Sequence, residues 1–179
     1  MKEFKELDRA FAFALAHHRG QVRKFTGIPY FTHLTAGVRY LSNCGIDSEL
    51  LYCAFALHDA VEDTNATIEN IEETFGKEVR DIVAQVTIRK KDKKDKAAFL
   101  KNLAENGTDE AVILKAVDRI INTEDFFHNG QEQKSRDYAR DAIHVFTRAA
   151  YLNRKLADGI KRLARLIGFE GYVLFQLGK

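Results

Sequence analysis

The segment His58-Asp59-Ala60-Val61-Glu62-Asp63 places four ionisable side chains within six residues. On a helix, His58 and Glu62 lie four apart and share a face, as do Asp59 and Asp63. Immediately before them runs Leu50-Leu51-Tyr52-Cys53-Ala54-Phe55-Ala56-Leu57, apolar all round. A helix apolar on every face belongs at the centre of a bundle. Ionisable groups at its end are costly to desolvate, and the acids repel one another. A divalent cation resolves both difficulties, because carboxylates and neutral imidazole are its natural ligands. Asp118 repeats the anomaly, four residues after Leu114 and three before Ile121, beside the inward face Ile113, Leu114, Val117, Ile120 and Ile121. His33, next to the inward residues of another helical segment, is a further candidate. Two imidazoles and two carboxylates form a mixed nitrogen and oxygen set, which suits Mn²⁺, Fe²⁺ or Zn²⁺ better than Ca²⁺. A His-Asp dipeptide alone is usually coincidence. The buried context and the second inward aspartate lift it above that, and periodicity goes no further.

The elements that must position these groups are helices. Phe4, Leu7, Phe11, Leu15 and His18 recur at three and four residues, with Gly20 as a stop. Arg23 to Tyr30 reads as a loop because Gly27 and Pro29 both break helical continuity. A second helix is expected over 32–43, and a third capped by Asp47 or Ser48. Thr67 caps a short fourth helix that Gly76 stops. Further helices are expected over 77–87, 92–105, 109 to about 125, and from Gln131 onward, where Gly159, Gly168 and Gly171 blur the pattern. No alternating stretch is long enough for a sheet. The expectation is all-α: one helical bundle, a single domain over 1–179.

Composition bounds the function. The chain of 179 residues carries a net charge of +2, with 45% hydrophobic and 30% charged residues, ordinary values for a soluble globular protein. Near-neutral charge gives no general reason to expect nucleic-acid binding. Six acids and no Lys or Arg lie between Asp59 and Glu73, whereas seven basic residues stand against two aspartates from Arg89 to Lys101. The run Lys90-Lys91-Asp92-Lys93-Lys94 reads first as a solvated helix start. No membrane span or signal peptide is recognisable, so the expected compartment is the cytoplasm. Cys44 and Cys53 have no metal or redox spacing and read as packed thiols. His17 and His18 read as finishing the first helix. Phe126, Phe127, Tyr138, Phe146 and Tyr151 read as core or subunit contact, which leaves a homo-oligomer open.

Six ordered stretches carry a family resemblance. They are Gly20-Gln21-Val22-Arg23-Lys24, Gly27-Ile28-Pro29-Tyr30-Phe31-Thr32-His33, Ala56 to Thr64, Phe75-Gly76-Lys77-Glu78-Val79, Val86-Thr87 and Val117-Asp118-Arg119-Ile120-Ile121-Asn122. Together, over about 4–126, they resemble the hydrolase domain of the RelA/SpoT family within the HD phosphohydrolase superfamily, and the length is similar to that of the stand-alone small alarmone hydrolases. The resemblance implies a helical HD-type domain, completed by C-terminal helices over 131–179. It implies one Mn²⁺ at His33, His58, Asp59 and Asp118, and removal of the 3′-pyrophosphate from (p)ppGpp or a related purine alarmone such as ppApp. Glu62 and Asp63 match the family's catalytic pair. Arg23, Lys24 and Asn122 match nucleotide-contacting positions, and Tyr30, in the loop before the first ligand, is expected to bind substrate with them. The implied cation would make hydroxide available near neutral pH and polarise a phosphoryl oxygen, with Glu62 orienting the water and Asp63 assisting.

Three departures qualify this. Leu34 stands where the family has Pro, Ala60 where it has Thr, and Glu124 where members commonly carry Arg. A carboxylate at 124 is unhelpful to a pyrophosphate. An HD-type phosphatase of NADPH or another nucleotide phosphate therefore stays in play. So does a silent nucleotide-binding module, although such a module has no need to keep all six acids and ligands.

Overall fold

The computed structural model describes residues 4–88 and 94–169, and ten helices are present among them. The chain divides into two compact units, Met1–Arg89 and Lys90–Lys179. The expected all-α class holds: the described residues contain one isolated antiparallel bridge, Val22 to Pro29, and no strand. No described helix is long and apolar enough to cross a membrane.

The first unit holds α1 (Lys5–His17), α2 (Phe31–Asn43), α3 (Glu49–Asp63), α4 (Ile68–Phe75) and α5 (Lys77–Val86). The apolar run forms most of α3, whose residues 51 to 60 are all buried. Ser48, one of the two expected caps, accepts from the Leu51 amide. Helices α1, α2 and α5 all pack on α3. Phe55, Leu57, Leu34, Leu41, Ile71, Ala10 and Ala14 are fully buried, each large one contributing about 1.5–3 kcal/mol. Gly37 lets α2 approach α3 closely: a Cβ there would lie 1.8 Å from Phe55 Cε1. Helix α1 lacks a capping side chain of its own. Glu49 of α3 supplies it, accepting from the Glu6 amide at 2.8 Å and the Leu7 amide at 3.3 Å. Thr67 caps α4 as expected, in a reciprocal box with Asn70.

The second unit holds α6 (Lys96–Asn106), α7 (Asp109–His128), α8 (Glu132–Asp141), α9 (Ile143–Leu152) and α10 (Arg154–Leu166). Of the helix expected over 92–105, residues 92 and 93 lie outside the described residues; α6 begins at Lys96, capped by the Asp95 side chain, which accepts from the Ala98 amide. Of the lysine run, only Lys94 is among the described residues, and it is exposed. The segment from Gln131 resolves into three helices, broken at Ala142 and at Asn153, which caps α10 through the Leu156 amide. The 20-residue α7 packs against α8, α9 and α10. Arg148 of α9 ties to Asp109 at 2.6 Å and to the Ala104 carbonyl at 2.9 Å. Phe146 is core, but Tyr151 is 92% exposed and is not. Gly159 lies buried inside α10 and does not end it. Cys44 and Cys53 are buried thiols outside any disulfide, as expected. Burial, aided by Glu49 and Glu6, pushes the Cys53 thiol up to about 12, so it is inert at neutral pH.

Candidate metal centre

Helices α2 and α3 bring three of the expected ligands together. His33, in the first turn of α2, and His58 and Asp59, in the last half of α3, are all buried. His58 Nε2 lies 3.1 Å and His33 Nε2 lies 3.4 Å from the same oxygen, Asp59 Oδ2. The ligand-capable atoms of the three lie within 4.8 Å of one another.

The hydrogen bonding suits a cation. His58 Nδ1 donates to the Phe55 carbonyl at 2.8 Å. A carbonyl can only accept, so Nδ1 carries a proton and Nε2 is the nitrogen left facing Asp59. A lone pair facing a carboxylate oxygen at that range is tolerable only with a proton or a metal cation between them. Burial pushes the Asp59 carboxyl up, but His58, together with His33, outweighs it and holds the group well below its ordinary 3.8. Asp59 is therefore in the ionised form that ligates. The last turns of α3 carry Asp59, Glu62 and Asp63 and no basic residue. Carboxylates at a helix C-terminus oppose the macrodipole, and a cation there offsets both. This donor set fits a divalent transition metal.

The loop before α2 adds a contact that sequence reading missed. Arg23 donates its amide to the Ile28 carbonyl at 2.8 Å, and Tyr30 donates its amide to Gln21 at 2.9 Å, with Gly27 at φ +70° making the turn. This places the Tyr30 hydroxyl to donate to Asp59 Oδ2 at 2.6 Å. Arg23 is buried with its guanidinium carbon 5.8 Å from the centre of the Tyr30 ring, while Lys24 is exposed, its ammonium 5.7 Å from the Phe25 ring. His18 is buried and stacks on Tyr30 at 4.8 Å. It closes α1, as expected, but has this second role.

Glu62 is half-buried, and its Oε2 accepts from the Ile88 amide at 3.2 Å; Asp63 is exposed. In the second unit Asp118 is buried on α7. Asn122 donates to its Oδ1 at 2.6 Å, and the Lys115 ammonium lies 3.1 Å from its Oδ2. The expected inward carboxylate is thus present, and Asn122 spends a donor on it. Lys115, 3% exposed, went unpredicted, although its spacing of three from Asp118 was a signal.

A family model described as the HD domain matches residues 10–154. The human guanosine-3′,5′-bis(diphosphate) 3′-pyrophosphohydrolase MESH1 is 31% identical over 173 residues, covering 93% of this chain and 97% of that protein. The bifunctional (p)ppGpp synthase/hydrolase SpoT of Escherichia coli K12 is 34% identical over 175 residues. That alignment takes in 94% of this chain but only 24% of SpoT, so the chain spans about a quarter of that relative's length. The solved structure of a metazoan ortholog of SpoT that hydrolyses ppGpp matches with a TM-score of 0.84 at 29% identity, over 94% of this chain and 99% of that one.

Proposed function

The chain belongs to the HD-domain family, and we propose that it is a metal-dependent pyrophosphohydrolase that removes the 3′-pyrophosphate from (p)ppGpp or a related purine alarmone. The observation that carries this is the convergence of His33 Nε2 and His58 Nε2 on one oxygen of Asp59, in a chain that aligns nearly end to end with a stand-alone 3′-pyrophosphohydrolase. In this reading Asp118 supplies a fourth ligand, and the chain is a single HD-type domain. The family match running from 10 to 154 supports the single domain. The resident metal is Mn²⁺, with Fe²⁺ and Zn²⁺ as substitutes the donor set also admits.

The reaction consumes one water. Its oxygen adds to the phosphorus attached to the 3′ oxygen, the bond between that phosphorus and the 3′ oxygen breaks, and a proton passes to the 3′ oxygen. The products are pyrophosphate and the 5′-nucleotide. The bound metal supplies Lewis acidity and an activated water. Glu62, one turn beyond His58, takes the proton from the attacking water. Asp63, the exposed neighbour, serves the leaving oxygen. Arg23 and Lys24 face a purine and its phosphates. The ligand is a small nucleotide and not nucleic acid, and the compartment is the cytoplasm.

The test is product analysis by anion-exchange chromatography with Mn²⁺, on ppGpp, pppGpp, ppApp and NADPH, with His58→Ala as control. Pyrophosphate released from an alarmone by the parent protein and lost in the variant is the expected result. Phosphate released from NADPH alone would overturn the substrate assignment.

A further inference from the structure

We propose that Tyr30 is a positioning residue for the metal ligand Asp59, rather than a substrate contact; the inference rests on the metal reading above. Its hydroxyl donates to Asp59 Oδ2 at 2.6 Å. That is the same oxygen that both imidazole Nε2 atoms approach. A carboxylate oxygen has room for a hydroxyl donor and a cation at once, so the contact is compatible with ligation. Asp59 sits near the end of a helix and can turn about its own side-chain bonds. The phenol removes that freedom and fixes which oxygen faces the histidines.

Three side chains hold the phenol in place. His18 stacks on it at 4.8 Å with an interplanar angle of 23°. His33 packs against it at 5.6 Å, and Arg23 lies 5.8 Å from the ring centre. The clamp is itself tied to α3. His18 Nδ1 donates to Gln21 Oε1 at 2.8 Å, and Gln21 Nε2 donates to the Asp63 carbonyl at 3.0 Å. The loop and the C-terminal end of α3 are thus linked twice, once through Asp59 and once through Asp63. Hydroxyl partners of this kind orient a ligating carboxylate, and losing one typically weakens metal binding by about 10- to 100-fold.

Tyr30→Phe deletes one oxygen and leaves the ring packing. Chelator-stripped parent and variant would be titrated with Mn²⁺ against a fluorescent metal indicator, loaded with Co²⁺ for visible absorption, and melted as apoproteins. The expected result is a Mn²⁺ affinity about 10- to 100-fold weaker in the variant, an altered Co²⁺ spectrum and an unchanged apo melting temperature. Equal affinity and equal spectra overturn the proposal. So does a weaker affinity that follows a lowered apo melting temperature with the Co²⁺ spectrum unchanged, since that is a merely structural role. A parent protein that binds neither metal removes the metal reading itself, a result distinct from equal binding by both.

Discussion

At the scale of the residue, Glu62 and Glu124 are the two carboxylates whose roles differ most. Glu62 sits four residues past His58 with one oxygen on the Ile88 amide, so its position is fixed by something other than the expected metal ligands. Glu62→Gln keeps that acceptor and loses the base. It should retain metal and lower turnover by about 10²–10⁴-fold, measured as pyrophosphate release alongside metal content; unchanged turnover would remove Glu62 from the mechanism. Glu124 has no such assignment. Burial is the main cause that raises its carboxyl above the ordinary 4.5, against smaller opposing pulls from His128 and Arg162. A folded-state value above the unfolded one means that ionised Glu124 costs stability. That cost is absent below pH 4.5 and complete above the folded value. Glu124→Gln should therefore melt higher than the parent at neutral pH, by less than about 1 kcal/mol because solvent screens a part-buried group, with the gain vanishing in acid. The expected ligands His58 and Asp59 stood out in the sequence because ionisable residues ending an apolar helix demand a partner, and His33 because it stands beside the inward residues of α2. The Tyr30 bond was not, since its partner lies 29 residues away and no periodicity links a loop tyrosine to a helical aspartate.

At the scale of the element, the close approach of α2 to α3 sets the geometry. Phe55 is fully buried, and its ring lies 5.9 Å from that of His33 and 4.8 Å from that of His58. Its carbonyl also accepts the hydrogen bond from His58 Nδ1. Gly37→Ala would put a methyl 1.8 Å from Cε1 and 2.0 Å from Cζ of that ring. The ring has no free space to move into, so the cost should be about 1–3 kcal/mol or more, read as a lower urea midpoint. Metal binding should weaken with it, because Phe55 spans both histidines. A variant as stable as the parent would contradict this packing. The helices with side-chain caps and glycine stops were legible: α3 from Ser48, α4 from Thr67 and Gly76. The sequence did not resolve α8 to α10. The break at Ala142 has no capping side chain, so only packing marks it, whereas Asn153 was a readable cap obscured by the glycines. Gly37 was not legible either, since nothing local to it says that a phenylalanine 18 residues on will lie against it.

At the scale of the molecule, the two units divide the expected ligands unequally. Three lie in the first and Asp118 in the second, where Lys115 and Asn122 hold it. Metal binding to the folded chain should stabilise it by mass action, about 2.7 kcal/mol at a hundredfold excess over the dissociation constant. The same coupling makes activity answer to metal supply and to acid, because ligating imidazoles must be unprotonated. The most direct test of the central claim is pyrophosphate release from ppGpp by chelator-stripped protein, before and after Mn²⁺ is returned, beside His58→Ala and Asp118→Asn treated identically. The stripped protein should release nothing, returned Mn²⁺ should restore conversion to GDP and intact pyrophosphate, and neither variant should recover. Undiminished release in the presence of chelator, or full recovery in His58→Ala, would contradict that claim.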